Sequence, residues 1–219
     1  MAEPEDVDVA ALRREYRLAT LAEATAARDP LVQFGRWMNE AVAARVAEPN
    51  AMVLSTVGLD GVPSARNVLL KGVDGRGFAF YTNRGSRKAR ELAQRPVAAL
   101  LFPWVEIQRQ VEVAGPVHDV PDDEADAYFA TRPRDSQVGA WASRQSSPLT
   151  DRDELEDAAA AVRARFEGLA IPRPPFWGGF RVVALRVEFW QGRPGRLHDR
   201  LRYRRSSEAD PWLRERLAP

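Results

Sequence analysis

A period-two alternation of apolar and polar residues constrains the fold of this chain most strongly. From residue 52 onward it recurs in short runs, at 52–57, 66–71, 78–82, 97–102, 107–114, 180–190 and 197–204. This period is typical of β-strands with one buried face. The runs are separated by Gly, Pro, Asn and Asp, and the pairs Asp60-Gly61 and Asp74-Gly75 favour tight hairpins. The pattern therefore predicts antiparallel strands.

Helical signals are inserted between these strands. Asp29-Pro30 is a helix start followed by apolar residues at helical spacing, namely Leu31, Phe34, Met38, Val42 and Val46. Ser86 caps a predicted helix over 87–94, and two more are predicted after Pro121 and over 150–168. Hairpins with inserted helices favour a mainly β fold, a small β-barrel with flanking helices. We expect one domain over residues 29–219, preceded by a segment of residues 1–28.

Composition excludes several classes of function. The absence of cysteine excludes disulfides, iron–sulfur clusters and cysteine nucleophiles, and the two histidines, His118 and His198, are too few for a multi-histidine metal site. Basic and acidic side chains number 32 and 31 and are interspersed, which argues against a nucleic-acid partner. We see no secretory signal and no apolar run long enough for a membrane span, so a cytoplasmic protein is expected.

The use of lysine is unusual. Lys71 and Lys88 are the only lysines among the 32 basic side chains. In a chain that otherwise uses Arg, a position that keeps Lys can require a compact, flexible point charge. Chance explains the pattern equally well at this point.

Two clusters suit anion binding. The first joins residues 66–71, Tyr81 and Thr82 to the capped start of the 87–94 helix, where Arg87 and Lys88 oppose the helix dipole unless an anion is bound. The second is a phenol, a guanidinium and a hydroxyl near a predicted helix end: Tyr128, Arg132 and Ser136. Taken singly, solvated charges and a plain helix terminus explain either cluster.

A third cluster is the strongest signal. Trp190 ends a predicted strand on the face opposite the apolar one, and a Gly-Pro-Gly turn follows. Arg196, His198 and Arg200 alternate onto one face of the predicted returning strand. A lone histidine in a strand is usually structural, but one flanked by two arginines beside a tryptophan favours a functional role.

Together these segments resemble the pyridoxamine 5′-phosphate oxidase family, from about residue 12 to the end of the chain. The resemblance is carried by motifs in matching order: Leu12-Arg13-Arg14-Glu15-Tyr16, Arg66-Asn67-Val68-Leu69-Leu70-Lys71, Gly85-Ser86-Arg87-Lys88, Arg132-Pro133-Arg134-Asp135-Ser136, Phe176-Trp177-Gly178-Gly179, Glu188-Phe189-Trp190-Gln191 and Arg196-Leu197-His198-Asp199-Arg200. It implies a split β-barrel that forms a homodimer and holds FMN between its subunits.

The resemblance also implies a role for individual residues. Those expected to bind FMN, with its phosphate at Arg66, Arg87 and Lys88, are Arg66, Asn67, Val68, Leu69, Leu70, Lys71, Tyr81, Thr82, Arg87, Lys88, Gln110, Gln145, Ser146, Trp190 and Arg200. Those expected to bind substrate are Arg13, Arg14, Glu15, Tyr16, Lys71, Tyr128, Arg132, Ser136, Arg196, Leu197 and His198. Among them, Arg196 and His198 are the expected catalytic residues, and 13–16 is expected to close over the site. Both lysines therefore fall at phosphate-binding positions.

The implied activity is oxidation of pyridoxamine 5′-phosphate or pyridoxine 5′-phosphate to pyridoxal 5′-phosphate. A hydride passes from C4′ to FMN, and O2 is reduced to H2O2. Two alternatives stay open: another split-barrel flavin- or deazaflavin-dependent reductase, and a non-catalytic protein that stores FMN or pyridoxal phosphate. The reductase gives no reason for the second and third clusters to occur together.

Overall fold

The structure is a computed structural model that describes residues 15–219, so Arg13 and Arg14 lie outside the described residues. Within that range the chain forms ten strands, β1 (Ala51–Val57), β2 (Pro63–Leu69), β3 (Gly72–Asp74), β4 (Gly77–Asn83), β5 (Val97–Trp104), β6 (Arg109–Asp119), β7 (Trp177–Val182), β8 (Arg186–Gln191), β9 (Asp199–Arg204) and β10 (Leu213–Leu217). The same residues form five α-helices, α1 (Pro30–Ala43), α2 (Arg87–Gln94), α3 (Asp122–Ala130), α4 (Arg134–Ala142) and α5 (Asp153–Arg165).

The strands pair antiparallel throughout, as the alternation predicts. The long strand β6 joins two parts of the sheet. Its first half lies between β5 and β8 in the order β10-β9-β8-β6-β5-β1-β2, and its last residues pair with β7, which leads to β4 and β3. A side chain at Gly115 would collide with the backbone oxygen of Val183, so glycine permits this crossing. The mainly β split barrel with flanking helices is therefore confirmed.

The core is built on α1 and the concave side of the sheet. Phe34 has its ring centroid 4.9 Å from those of both Phe78 and Phe102, and none of the three is exposed. Burying such a side chain contributes about 1.5–3 kcal/mol. The predicted stripe on α1 needs one correction, because Trp37 and Ala41 are buried whereas Val42 is 57% exposed. The helix ends at Ala43, and its buried face follows Phe34, Trp37 and Ala41.

Four further elements differ from the sequence prediction. The predicted run 180–190 is two strands, β7 and β8. Residues 183–185 connect β7, which pairs with β4, to β8, which pairs with the first half of β6. The backbone N–H groups of Val183 and Leu185 donate to the backbone oxygens of Pro116 and Ala114 on β6. Helix α4 was missed because Pro133 suggests a break, yet a proline also suits the start of a new helix. The short strands β3 and β10 are also absent from the predicted runs.

The described part of the N-terminal segment packs against the C-terminal strands. Leu21 is buried, and its backbone N–H donates to Oδ2 of Asp199 at 3.0 Å. Arg216 of β10 donates to Glu23 at 2.7 Å and to the backbone oxygen of Leu21 at 2.9 Å. A domain boundary at residue 28 stays a prediction.

Candidate active site

A cavity of about 450 Å³ brings the first and second clusters together. Its walls come from β2, β4, α2, α3, α4 and the start of β7. The predicted site residues that line it are Asn67, Val68, Leu69, Lys71, Tyr81, Thr82, Lys88, Tyr128, Arg132, Ser136 and Gln145. Predicted site residues up to 78 positions apart in the chain therefore line one cavity.

One end of the cavity lies at the start of α2. Ser86 caps this helix, and its hydroxyl accepts a hydrogen bond from the backbone N–H of Ala89 at 3.4 Å. The ammonium of Lys88 is buried, and its hydrogen bonds within residues 15–219 go to neutral oxygens alone, on Thr82 at 3.2 Å, Gln145 at 3.2 Å and Ser86 at 3.5 Å. Burial, followed by the positive charge of Arg66, lowers the pKa of Lys88. A bound anion would offset both effects.

Glu91, which the sequence gave no reason to single out beyond its place on α2, organises the cations around this end. It accepts hydrogen bonds from Arg66 at 3.3 Å and from Arg87 at 2.8 Å. It also accepts from the hydroxyls of Thr56 and Ser64. Burial alone would raise the pKa of Glu91, but the hydrogen bonds from these four residues outweigh burial and lower it to about 2.

The second cluster forms the opposite end. Tyr128 lies in the last turn of α3, Arg132 in the connection and Ser136 in the first turn of α4. Arg132 is thus not on the same helix as Tyr128, but the helix break still leaves all three on the cavity. Nη1 of Arg132 is buried and has no hydrogen-bond partner among the described residues. Burial lowers the pKa of Arg132 and raises that of Tyr128.

An aromatic stack forms the wall between the two ends. The rings of Tyr81, Tyr128 and Trp177 are nearly parallel and lie together: Tyr81 is 4.2 Å from Tyr128 and 5.4 Å from Trp177, with interplanar angles of 18° and 7°, and Tyr128 and Trp177 are 6.2 Å apart. Burial, followed by the negative charge of Glu124, raises the pKa of Tyr81. A Cβ at Gly179 would lie 2.7 Å from the Tyr81 ring, so this glycine makes room for the stack. Trp177 lines the cavity, although its motif carried no predicted role.

Some predicted FMN contacts lie beside the cavity rather than on it. Arg66 and Arg87 lie behind its Lys88 end, and the hydroxyl of Ser146 accepts from the backbone N–H of Arg87 at 3.1 Å. Leu70 is buried in the core, and both of its backbone polar groups bond to Asn50. Leu70 does not line the cavity, and its contact with FMN stays a prediction.

The third cluster forms a separate site within the described chain, and none of its members lines the cavity. The rings of Trp190 and His198 are 4.6 Å apart, and Tyr16 packs 5.8 Å from the first and 5.7 Å from the second. The predicted substrate residue Tyr16 thus contacts this cluster. A Cβ on Gly192 would lie 2.8 Å from the Tyr16 ring, so glycine at this position leaves room for the ring. Glu15, also predicted, is exposed and pairs with Arg17.

The predicted strand phase of this cluster needs correction. β9 begins only at Asp199, and Arg196 lies in a 3₁₀ turn with a φ of 61°. Arg196 and Leu197 are exposed, because this turn projects them away from the sheet. Arg200 does lie on β9, opposite Trp190 on β8, and donates to Glu188 at 2.7 Å.

Gln110 joins this cluster on β6, where it pairs with Trp190. It points away from the face that carries Val111 and Val113, both of which are fully buried. The protonation of His198 is also defined. The backbone N–H of Arg193 donates to its Nδ1 at 3.1 Å, so the neutral ring carries its proton on Nε2. Burial, followed by the charge of Arg196, lowers the pKa of His198.

Residues 38–166, more than half of the chain, match the family described as Pyridoxamine 5′-phosphate oxidase. The chain belongs to the pyridoxamine 5′-phosphate oxidase family. Residues 177–219 match the region described as Pyridoxine 5′-phosphate oxidase C-terminal dimerisation region, and this region contains the third cluster from Trp190 onward. The family resemblance of the sequence motifs is therefore confirmed.

Named members of the pyridoxamine 5′-phosphate oxidase family match nearly the whole chain. The Pyridoxine/pyridoxamine 5′-phosphate oxidase of Rubrobacter xylanophilus is 60% identical over 97% of both chains. The protein of the same name from Cupriavidus necator is 56% identical over 96% of this chain and 99% of its own. The crystal structure of PhzG from Burkholderia lata 383, in complex with tetrahydrophenazine-1-carboxylic acid, has a TM-score of 0.86 and 34% identity, and covers 92% of this chain and 99% of its own. Across residues 15–219, no helix has the length and apolar character needed to span a membrane.

Proposed function

We propose that this chain is an FMN-dependent oxidase that converts pyridoxamine 5′-phosphate or pyridoxine 5′-phosphate to pyridoxal 5′-phosphate, with O2 reduced to H2O2. One observation carries the proposal. A single cavity holds the buried ammonium of Lys88 and the partly buried guanidinium of Arg132, whose Nη1 is buried, and neither cation forms an ion pair with any residue from 15 to 219. Because an unpaired buried charge is costly, each cation favours an anionic group. Two phosphates, one on the cofactor and one on the substrate, meet that requirement.

The residues at the Lys88 end fit the phosphate of FMN. Lys88, Arg66 and Arg87 supply positive charge there, and Glu91 holds the two guanidiniums in place. The strand residues 67–69, together with Thr82 and Gln145, line the adjoining wall and would contact the rest of the cofactor. The chemistry that bound FMN supplies is two-electron oxidation at C4′ of the substrate, with dioxygen as the final acceptor.

The Arg132 end fits the phosphate of the substrate. Arg132 offers an unused buried N–H, and Tyr128, Ser136 and Lys71 present a phenol, a hydroxyl and an ammonium to the same cavity. Charge-assisted hydrogen bonds to such a phosphate each contribute about 1.5–3 kcal/mol. Binding the phosphate, which is remote from C4′, supplies affinity for the substrate and limits where its ring can lie in the cavity.

We further propose that a homodimer completes the site. The third cluster of one subunit would face the cavity of the other, so that Trp190, Gln110 and Arg200 contact the cofactor while Arg196, His198 and residues 13–16 cover the substrate. The lowered pKa of His198 keeps its ring neutral, with Nε2–H as the donor. Arg196 adds positive charge beside the substrate amine or alcohol, which favours the deprotonated form of that group.

The decisive assay is H2O2 release by purified protein with added FMN under air. We expect steady release with pyridoxine 5′-phosphate and much less with unphosphorylated pyridoxine. Arg132→Ala should lower kcat/KM for the phosphorylated substrate by roughly 10–100-fold, since it removes charge-assisted bonds. Arg134→Ala is the matched control, because Arg134 lies two residues away and donates to backbone oxygens outside the cavity.

Other outcomes of this assay would contradict the proposed function or favour an alternative. Equal kcat/KM for both forms of the vitamer would contradict the phosphate clamp. Bound flavin without peroxide release would favour storage of FMN over catalysis. A protein that binds no FMN at all would contradict the proposed function.

A further inference from the structure

The motif Phe176-Trp177-Gly178-Gly179 has no part in the function proposed so far, yet it starts β7 at the cavity wall. Trp177 is buried, with 6% of its surface exposed. It packs in a second hydrophobic cluster with Phe129, Val138, Phe166 and Ile171. Its position allows it to act on the cavity through its neighbours.

The neighbour that matters most is Arg132. Its guanidinium carbon lies 4.7 Å from the ring centroid of Trp177 and 5.4 Å from that of Phe129. No side chain or backbone group among the described residues accepts a hydrogen bond from its buried Nη1. Its contacts with aromatic faces therefore define its position, and cation–π attraction is strongest with Trp and with desolvated cations.

The Trp177 ring is itself fixed. It stacks on Tyr81 with an interplanar angle of 7°, and Gly179 provides the space that Tyr81 occupies. Its backbone oxygen accepts a hydrogen bond from Arg173 at 2.6 Å, and Arg173 is held by Asp122 and Asp126 of α3. A ring held on both its face and its backbone can hold a cation without using the N–H groups of that cation.

We propose that Trp177 is a positioning residue that determines affinity for phosphorylated substrates: it holds Arg132 through its ring face and leaves the guanidinium N–H groups for the substrate phosphate. A carboxylate in its place would fix Arg132 equally well but would neutralise it. The inference rests on the proposed function, since it requires Arg132 to bind phosphate.

The test compares Trp177→Leu and Trp177→Phe with the wild-type holoenzyme. Because the phosphate is remote from C4′, the lost interaction is one of binding, so Trp177→Leu should raise KM for pyridoxine 5′-phosphate by roughly tenfold with little change in kcat. Trp177→Phe keeps an aromatic face and should retain most of the affinity. Trp141→Leu is the matched control, because Arg165 lies 4.9 Å from the Trp141 ring in the same cluster but outside the cavity.

A double-mutant cycle separates positioning from packing. If Trp177 acts through Arg132, then adding Trp177→Leu to Arg132→Ala should change KM no further. A merely structural role would instead lower kcat and flavin content, and it would do so in both backgrounds. Either that result or an unchanged KM in Trp177→Leu would overturn the inference, and Trp177→Met, which also lacks an aromatic face, provides the same comparison if the leucine variant does not fold.

The two proposals fail in different ways. If the wild-type protein does not oxidise pyridoxine 5′-phosphate, the proposed function is wrong. If it does, and Arg132→Ala raises KM while Trp177→Leu does not, only the role of Trp177 is wrong.

Discussion

At the residue scale, the site depends on which charges the protein pairs and which it leaves for ligands. Glu91 pairs with Arg66 and Arg87, whereas Lys88 and Arg132 have no carboxylate partner within residues 15–219. Glu91 thus stabilises the apoprotein without occupying the cavity itself. Its pKa of about 2 makes this contribution dependent on pH.

Glu91→Gln should therefore destabilise the apoprotein in a pH-dependent way. A carboxyl whose pKa falls from 4.5 to about 2 on folding stabilises the protein above pH 4.5, and this contribution disappears as the pH falls toward 2. We expect the variant to lose about 3 kcal/mol of unfolding free energy at pH 7. At pH 3.5 the deficit should be smaller by about 1 kcal/mol.

Urea denaturation of apoprotein at both pH values measures this effect. Glu208→Gln, at an exposed glutamate, is the control and should match the wild type within roughly 0.5 kcal/mol. A deficit that is identical at pH 7 and pH 3.5 would mean that the ionisation of Glu91 is not linked to folding.

At the element scale, α3 must be docked correctly for the clamp to form. Glu124 lies one helical turn before Tyr128, and it accepts hydrogen bonds from Arg181 of β7 and from Arg76. Arg181 is buried and also donates to Asp74 at 3.1 Å. This ion-pair network connects α3 to the β3–β4 hairpin and thereby sets the position of Tyr128 on the cavity wall.

We expect Glu124→Gln to lower the unfolding free energy by about 1–3 kcal/mol, because it weakens the pairing of a buried guanidinium that keeps only Asp74. KM for pyridoxine 5′-phosphate should rise as α3 loosens, while the bound flavin content stays the same. Urea denaturation and steady-state kinetics measure both effects.

The control is Glu156→Gln, which breaks the ion pair between Arg152 and Glu156 at the start of α5. The two side chains are 82% and 60% exposed, so this change should lower the unfolding free energy by under about 0.5 kcal/mol. Equal effects of the two changes would contradict a docking role for Glu124.

At the scale of the whole molecule, the third cluster lies apart from the cavity that the first and second clusters form. One chain presents both surfaces, but Trp190 and His198 do not line the cavity that holds Lys88 and Arg132. A two-fold dimer can bring the third cluster of each subunit to the cavity of the other, because both surfaces occur in every subunit.

Mixed dimers test this arrangement. A chain with Arg132→Ala and a chain with Arg196→Ala, each with its own affinity tag, should form dimers with one intact site and one site with both changes. At substrate concentrations well below KM, we expect these dimers to have about half the wild-type activity, although each variant alone keeps only a small fraction of it. Mixed dimers as inactive as their parents would mean that each site is built within one chain.

The sequence by itself determined the strands, the helix caps and the residues that carry charge. Asp29 caps α1 through the backbone N–H of Leu31, and Ser86 caps α2, as their spacing predicts. These signals act between residues close in the chain, so they are visible without the fold. The motifs also identified the family, and with it most of the residues that line the cavity.

Only the tertiary structure decided which charges are paired and where β7 ends and β8 begins. It also decided that the first and second clusters share one cavity while the third cluster lies apart from it. The hydrogen-bond partners of Glu91 on β1 and β2 lie 25–35 residues earlier in the chain, so no local pattern reveals them. The role of Trp177 likewise depends on Tyr81 and Arg132, which other elements bring to it. Long-range packing selects such contacts, because the free energy of burying a side chain or a charge depends on everything that surrounds it.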